Sequence, residues 1–336
     1  MGKFGDWNII KTIGEGGQGQ IHLVKNEKGE PSGVFALKKL TNKNRIQRFE
    51  KEILAGMKLK HPNIIEVIEY DLENKRPYLV MKYFEEGDMT NLNIVSFSLN
   101  EKIEIFRKIC EAVAFAHKNK VIHRDIKPEN IFMENQFEPI VGDFGLCFFD
   151  DEERITNSDE VIGSRYYMAP ELADGKFEDM TYSADVYSLG KLFYWIITGK
   201  IFDREKHNDN KYKITKNEKT ICFLINEVLN KTIIENPENR LQNAFELVNE
   251  INNLEKRISM GANSIGPNIP LECIFCGVGK YHKISGSRNG IAGIETSNGF
   301  NFSRNKEWTI LQCDYCNNIQ IFSPLIKDST NKWEKK

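Results

Sequence analysis

The chain has 336 residues, of which 40% are hydrophobic and 28% are charged, and its formal net charge is −2. This composition is typical of a folded globular protein, and the near balance of charge excludes a general electrostatic attraction to nucleic acids or membranes. The length suits one large domain with an additional small module.

The sequence shows no targeting or membrane-spanning segment. Its most apolar stretch, LFYWIITG at residues 192–199, is far shorter than the roughly 20 residues that a spanning helix needs. The N-terminal residues lack a secretory apolar region, and Asp6 stands where a myristoylation signal has Ser or Thr. We therefore expect a cytoplasmic protein.

Strand patterns dominate the first part of the chain. Only residues 44–60 place apolar and charged side chains at helical spacing. The other segments have the alternation or apolar content of strands. In chain order they read WNIIKTIG, QIHLVKN, GVFALKKL, IIEVIEY and RPYLVMKYF.

Helical patterns dominate from Leu99 to about Arg257, beginning with an amphipathic segment for which Asn100 is a candidate N-cap. Residues 258–272 are rich in Gly, Pro, Asn and Ser without periodicity, which predicts a linker. Residues 273–336 combine cysteine pairs, glycines and short apolar runs. They are typical of a small module of loops and strands.

A glycine-rich turn lies between the first two predicted strands. Gly14, Gly16 and Gly19 form a G-x-G-x-x-G pattern, in which backbone N–H groups can approach phosphate oxygens without a Cβ in the way. The pattern alone is weak. A dinucleotide site would need a helix directly after it, whereas QIHLVKN has a strand pattern. The strand–turn–strand setting favours a loop that covers nucleotide phosphates.

Further motifs follow in a defined order: FALK ending at Lys38, HRDIKPEN at 123–130, DFG at 143–145 and APE at 169–171. HRDIKPEN alone could be a polar surface loop. Together with the glycine turn, these motifs resemble the eukaryotic-type (Hanks-type) protein kinase family over residues 7–257. The resemblance implies phosphoryl transfer from ATP.

The resemblance also implies an α+β, two-lobed kinase fold over residues 1–257. The β-rich N-lobe would comprise about residues 1–83 and the helical C-lobe about residues 84–257. The linker and a zinc-ribbon-like β module at 273–336 would follow. Phosphoryl transfer depends on neutralising the phosphate charge and on positioning the reactants. We therefore expect the active site to consist of charged residues held at fixed positions.

Lys38 would hold the α- and β-phosphates, and the neighbouring Lys39 is interpreted as a solvated strand residue. A lysine in this role needs an anion to orient it. The helix offers Glu50 and Glu52, and counting along the family pattern selects Glu52.

Asp125 is the candidate catalytic base, and Lys127 would steady the γ-phosphate. Asn130 and Asp143 are oxygen donors suited to Mg²⁺, or Mn²⁺ in its place. Lysine two residues after Asp125 is the pattern of the serine/threonine-specific branch of the family. His123 and Phe144 are interpreted as packing residues.

The segment YLVMKYFEEGDM resembles the hinge between the two lobes of a kinase. Met81 would be the gatekeeper residue at the back of the adenine site. The resemblance gives further positions a role in binding the nucleotide. Some would hydrogen-bond the base through the backbone, one would contact the ribose, and others would make apolar contacts above and below the base. These are Ile13, Ile21, Ala36, Lys82, Phe84, Asp88 and Met133.

Arg124 precedes the candidate base, and kinases with this arginine often need a phosphate on the following loop to order it. Thr156 and Ser158 are the candidate phosphosites, although the acidic residues 150–153 could partly supply the charge. Gly56 departs from the family, which has a bulky apolar residue there. We expect it to leave room that Met57 or Phe144 fills.

Two C-x₂-C pairs, Cys273/Cys276 and Cys313/Cys316, lie in the last quarter of the chain. Four thiolates suit tetrahedral structural Zn²⁺, and so small a module needs such a staple. A redox role and ligation by His282 are the alternatives. No open metal position for catalysis is expected.

The leading hypothesis is an ATP- and Mg²⁺-dependent serine/threonine kinase that phosphorylates proteins, itself included. A silent pseudokinase scaffold is the first alternative. The second is a kinase activated by a nucleic-acid or protein partner of the zinc module.

Overall fold

The computed structural model describes residues 2–16, 19–149, 166–175, 181–204, 206–208, 214, 219–264, 281–283, 309–313 and 319–322. The chain divides into two compact units, Met1–Ile251 and Asn252–Lys336. Among the described residues, no helix is both long enough and apolar enough to cross a membrane.

The first unit begins with a six-stranded antiparallel sheet. Its strand order is β1-β2-β3-β4-β6-β5. The strands are β1 (Lys3–Phe4), β2 (Trp7–Gly16), β3 (Gly19–Asn26), β4 (Phe35–Lys39), β5 (Val67–Asp71) and β6 (Tyr78–Lys82).

The short strand β1 was not predicted from the sequence, because two residues carry no periodicity. It pairs with β2 and brings the Phe4 ring to 5.5 Å from the Tyr78 ring. Trp7 packs edge-on against Phe35 at 5.2 Å. A small core results on one face of the sheet. It consists of Phe4, Trp7, Val24, Phe35, Leu37, Tyr78 and Val80.

His22 on β3 lies near this core and makes the sheet sensitive to acid. Its Nδ1 is 3.0 Å from Thr12 Oγ1. Burial, and then the charge of Lys39, lower the pKa of His22 below 6.5. The unfolded chain therefore takes up a proton at a higher pH than the folded chain, so stability is lost as pH falls below about 6.5. Urea unfolding at pH 7.5 and pH 5.5 should show this loss, and His22→Asn should reduce the difference.

Helix α1 (Ile46–Lys58) contacts both β5 and the turn after Asp143. The expectation that Gly56 leaves room filled by Met57 or Phe144 is wrong. A Cβ at residue 56 would lie 2.5 Å from Val67 Cγ2, and Met57 is 46% exposed. The glycine therefore allows β5 to approach the helix closely, and Val67 occupies the space.

The rest of the first unit is mainly helical. Two small antiparallel strand pairs, β7 with β10 and β8 with β9, lie between α2 and α3 in the sequence. The elements are α2 (Leu99–Lys118), β7 (Val121–Ile122), β8 (Ile131–Asn135), β9 (Glu138–Val141), β10 (Phe148–Phe149), α3 (Pro170–Ala173), α4 (Ser183–Thr198), α5 (Lys219–Thr232) and α6 (Ala244–Ser264).

Ser98, and not Asn100, caps helix α2. The Ser98 hydroxyl accepts the N–H of Glu101, and the Glu101 carboxylate accepts the N–H of Ser98 at 2.7 Å. Ser98→Ala should lower the free energy of unfolding by about 1 kcal/mol, since it removes the side-chain half of a capping box. Asn100→Ala is the matched control with almost no loss. Equal effects in chemical denaturation would contradict this assignment.

Helix α6 runs to Ser264, so residues 258–264, predicted as linker, are helical. A helix tolerates the single Gly261 at a cost of about 1 kcal/mol. After α4, the described residues before α5 form only one short turn, Lys206–Asn208.

The second unit contains a three-stranded antiparallel sheet. Its strands β11 (Tyr281–Lys283), β12 (Thr309–Cys313) and β13 (Ile319–Phe322) are in sequence order. Tyr281, the first residue of β11, is opposite Cys313, the last residue of β12. The strands predicted for this module are thus present.

Candidate active site

A buried ion pair joins the sheet to helix α1. Lys38 Nζ on β4 lies 2.8 Å and 2.7 Å from the two carboxylate oxygens of Glu52, and both residues are buried. Lys39 points to the other face of the strand, where it bonds Gln20. Glu50 cannot share the role of Glu52, since residues two apart on a helix do not face the same way.

Asp143 is the third charge of this group. Its Oδ1 is 3.7 Å from Lys38 Nζ. Burial alone would lower the pKa of Lys38, but the charges of Glu52 and Asp143 outweigh burial and raise it. Burial opposes ionisation of Asp143 too, yet Lys38 and His123 hold the pKa of that carboxyl below its ordinary value. Both groups are therefore charged at neutral pH.

The backbone conformation of Asp143 is unusual for an aspartate. Its φ of 57° and ψ of 62° lie in the left-handed region. Phe144 follows it with 1% exposure, and its ring centre is 4.5 Å from that of His123. His123 Nε2 is also 3.0 Å from the carbonyl oxygen of Gly142. These contacts hold a strained turn in place, as is common at functional sites, and they confirm the predicted packing of His123 and Phe144.

Asp185, in the first turn of α4, positions the loop that follows β7. Its carboxylate accepts the backbone N–H groups of His123 and Arg124, each at 2.8 Å. His117 Nδ1 accepts the N–H of Ala244, so its Nε2 donates to Asp185 at 2.9 Å. Burial opposes ionisation, but the His117 hydrogen bond keeps the pKa of Asp185 below its usual value.

Asp125, Lys127 and Asn130 converge on this loop. Asp125 Oδ2 accepts hydrogen bonds from Lys127 Nζ at 2.7 Å and Asn130 Nδ2 at 2.9 Å. Asn130 Nδ2 also donates to the Asp125 carbonyl at 2.7 Å. Asp125 is 4% exposed, and its Oδ1 has no hydrogen-bond partner among the described residues. One carboxylate oxygen is thus anchored, and the other remains an acceptor.

The glycine turn and hinge have the strand pairing expected of a nucleotide cleft. Gly14 is opposite Ile21, and Gly16 is opposite Gly19. Ala36 is opposite Met81, and both are buried. A Cβ at Gly19 would overlap the carbonyl oxygen of Lys39. Glycine is therefore required where the turn approaches β4.

The other positions predicted to contact the base or the ribose differ in their exposure and partners. Ile13 is 38% exposed, and Phe84 is buried. The Asp88 side chain accepts the N–H of Thr90 at 2.9 Å. Lys82 forms an ion pair with Glu134.

The position of Met133 corrects the sequence prediction. This residue is completely buried, and its N–H donates to the Gly87 carbonyl at 2.9 Å. Successive strand residues face opposite ways, and the partly exposed neighbour is Phe132. Counting along the motif was one residue out of phase, so the apolar contact below the base does not come from Met133.

Several predicted positions lie outside the described residues. These are Thr156, Ser158, Cys273, Cys276 and Cys316. Cys313 ends β12. Within the described part of the chain, no group of three or more His, Cys, Asp or Glu side chains could hold a metal ion.

The family model of the protein kinase domain matches residues 7–265. The chain belongs to the protein kinase family. The predicted kinase fold, with its curled sheet and helical part, is thereby confirmed, and a kinase domain implies ATP and Mg²⁺.

Curated relatives of this chain include bacterial and fungal protein kinases. A probable serine/threonine-protein kinase of Clostridium perfringens is 30% identical over 264 residues, 74% of this chain and 38% of that protein. The serine/threonine-protein kinase PrkC of Bacillus subtilis is 31% identical over 207 residues, 60% of this chain and 32% of that protein. GIN4 of Saccharomyces cerevisiae, a serine/threonine-protein kinase, is 27% identical over 266 residues, 71% of this chain and 23% of that protein. The chain spans between 23% and 38% of the length of these relatives.

The residues present fit the Mg²⁺ that the family implies. Asp143 supplies an ionised carboxylate. Both Nδ2 hydrogens of Asn130 are used by Asp125, so its amide oxygen is the group left for a cation. Mg²⁺ prefers such oxygen donors and needs few from the protein.

Proposed function

We propose that the chain is an active serine/threonine kinase that transfers the γ-phosphate of ATP to protein hydroxyls, its own included. One observation carries the proposal: the buried Lys38 ammonium bonds both carboxylate oxygens of Glu52 and lies 3.7 Å from Asp143 Oδ1. Burying a charge is expensive unless it is paired. A catalytically inactive scaffold would not need a buried lysine held beside two carboxylates.

The charged residues act mainly by positioning and electrostatics. Glu52 holds the Lys38 ammonium where it neutralises the α- and β-phosphates. Asp143 and Asn130 would hold Mg²⁺, which when bound neutralises the charge that develops on the phosphates. Lys127 steadies the γ-phosphate.

Asp125 is the group that orients the acceptor hydroxyl. Its Oδ2 is fixed by Lys127 and Asn130, and we propose that the carboxylate accepts the hydroxyl proton as the phosphate is transferred. Lys127, two residues after Asp125, supports serine and threonine as acceptors.

Lys38→Met tests the proposal, with the adjacent Lys39→Met as the matched control. The first change removes the phosphate-binding cation and leaves Glu52 buried without its partner. We expect it to lower phosphate transfer from radiolabelled ATP by about 100-fold or more. Lys39→Met should stay within about twofold of wild type. Equal labelling by wild type and Lys38→Met would refute the enzymatic function.

The surroundings of Arg124 support control by phosphorylation. Burial and the positive charge of Arg48 lower the pKa of this guanidinium, although Asp185 opposes them. A phosphate on Thr156 or Ser158 would supply an anion with which an arginine such as Arg124 can pair.

The phosphorylation proposal has a direct check. Mass spectrometry of the active kinase should find phosphate on Thr156 or Ser158, and the double change Thr156→Ala/Ser158→Ala should reduce activity by roughly 10-fold or more. Full activity of a kinase without phosphate on this loop would show that the charge of the acidic residues 150–153 is sufficient for activity.

The strand register supports structural zinc at Cys273, Cys276, Cys313 and Cys316. Cys313 ends β12 opposite Tyr281, and Cys276 precedes Tyr281 by five positions in the sequence. In the sequence, Cys316 lies between β12 and β13. The strand ends that adjoin both C-x₂-C pairs in the sequence lie at the same end of the sheet, which favours a tetrahedral Cys₄ site.

The domain organisation follows from these proposals. The kinase domain occupies residues 1–257, with lobes of about 1–83 and 84–257. Residues up to 272 connect it to the zinc module at 273–336.

A further inference from the structure

Arg204 lies outside the candidate active site, yet its backbone is in the left-handed region, with a φ of 46°. The residue lies after α4, shortly before the turn Lys206–Asn208. A non-glycine residue in this region is strained, and it persists only where the surrounding structure holds it. The proposed catalytic steps do not use Arg204, so its strained conformation points to another role.

Lys191 on α4 holds the main chain at Arg204. The lysine is 3% exposed. Its Nζ donates to the carbonyl oxygen of Phe202 at 2.6 Å and to that of Arg204 at 2.9 Å. The ammonium group also lies 3.7 Å from the centre of the Phe202 ring, which favours a cation. A buried ammonium that bonds two main-chain carbonyls fixes the path of residues 202–204.

The Arg204 side chain extends from this point to the end of α3. Its Nη2 donates to Asp174 Oδ1 at 2.9 Å, and its Nη1 is 3.9 Å from Glu235 Oε1. Asp174 directly follows α3. The side chains of Arg204 and Asp174 are 44% and 43% exposed. The pair therefore presents charge at the surface in a geometry that Lys191 sets from the interior.

The residues before α3 lie close to the loop that carries Asp125. Tyr167 is 7% exposed, and burial together with the charge of Glu129 on that loop raises the pKa of Tyr167. Helix α3 has four residues, so Asp174 lies within about 20 Å of Tyr167. A protein–protein contact of ordinary size is about 30 Å across. A protein whose hydroxyl lies at Asp125 can thus also reach Asp174.

We propose that Lys191 is a positioning residue for the protein acceptor: it holds Arg204 so that the Arg204–Asp174 pair contacts the acceptor. The inference rests on the proposed kinase function. This contact takes no part in binding ATP or in transferring the phosphate. Its loss weakens acceptor binding equally in the ground state and the transition state, so it raises KM for the acceptor and leaves kcat unchanged.

Lys191→Met tests the proposal in the full chain, with KM measured separately for ATP and for a protein acceptor. The acceptor is the one that the wild type phosphorylates fastest among casein, histone H1, myelin basic protein and the Asp143→Asn chain. Methionine keeps an apolar stem but lacks the ammonium group. We expect KM for the acceptor to rise about 3- to 10-fold, with kcat and KM for ATP within about twofold of wild type. An unchanged KM for the acceptor would overturn the proposal.

Lys102→Met is the matched control for the loss of a buried lysine. Lys102 on α2 is 7% exposed, and its Nζ donates to the carbonyl oxygen of Ile197 near the end of α4 at 3.1 Å. This variant should lower the urea midpoint as Lys191→Met does, but it should leave KM for the acceptor unchanged. An equal rise of that KM in both variants would show an effect of stability alone and would overturn the positioning role.

Arg204→Gly removes the ion pair without straining the fold. Glycine adopts a positive φ readily, so this variant should resist urea about as well as the wild type. It lacks the guanidinium group, and we expect its KM for the acceptor to rise about 3- to 10-fold. Adding Lys191→Met should then change that KM by less than about twofold, since both residues act through one contact. Independent, multiplying effects would contradict the link between them.

The outcomes separate this inference from the kinase proposal. A wild-type protein that phosphorylates none of the four acceptors refutes both. Phosphate transfer with an unchanged KM for the acceptor in Lys191→Met and Arg204→Gly refutes only the positioning role.

Discussion

Asp143→Asn should lower the rate constant of phosphate transfer by about a thousandfold or more. The carboxylate lies 3.7 Å from Lys38, and its pKa is held below the ordinary value. The amide has nearly the same shape but no charge, so it loses the attraction for Mg²⁺ and the stabilisation of the transferred phosphate. Removing one preorganised group of this kind typically costs 10²- to 10³-fold, and Mg²⁺ adds to that loss.

The measurement is the initial rate at saturating ATP and Mg²⁺ with a generic protein acceptor. Asp203→Asn is the matched control, because Asp203 is exposed and pairs only loosely with Lys206 at 3.7 Å. Binding of ADP without Mg²⁺ should persist in Asp143→Asn, which would show that the cleft is intact. Phosphate transfer at more than about a tenth of the wild-type rate would contradict the assigned role.

Removal of zinc should unfold the sheet β11–β13. The sheet is small, and binding of structural zinc by such modules is worth about 10–16 kcal/mol. We therefore expect about one zinc ion per chain in the purified protein, and Cys313→Ser should reduce the zinc content to near zero. Amide hydrogen exchange in residues 309–313 and 319–322 should then become fast.

Cys222→Ser provides the control for this experiment. Cys222 is 9% exposed and lies in the first unit, so its loss should leave the zinc content unchanged. A zinc-free protein whose sheet still resists exchange would refute the metal site. Reversible disulfides in place of zinc, detected by mass spectrometry, would support the redox alternative.

The candidate site could be read from the sequence to a large extent because its chemistry restricts the residue types. Neutralising phosphate requires a lysine, and holding Mg²⁺ requires oxygen donors. These residues lie in short motifs whose spacing is fixed by one turn or strand. The structure brings Lys38, Glu52 and Asp143 together, and it joins Asp125 to Lys127 and Asn130.

Predictions that depended on the direction of a single side chain were less successful. Met133 and Phe132 are neighbours of similar character, and a shift of one residue exchanges the two faces of a strand. Ser98 and Asn100 are both good caps, and only the path of the preceding chain selects Ser98. The space expected at Gly56 is absent because Val67, distant in sequence, fills it.

The sequence by itself determined the family, the charged residues of the candidate site and the order of strands before helices. These properties reside in local patterns and in the chemistry of individual side chains. Only the tertiary structure decided that Phe132 lies over Gly142 and that β1 completes the first core. Both depend on how closely side chains approach once the strands have paired, and no local sequence pattern encodes that distance.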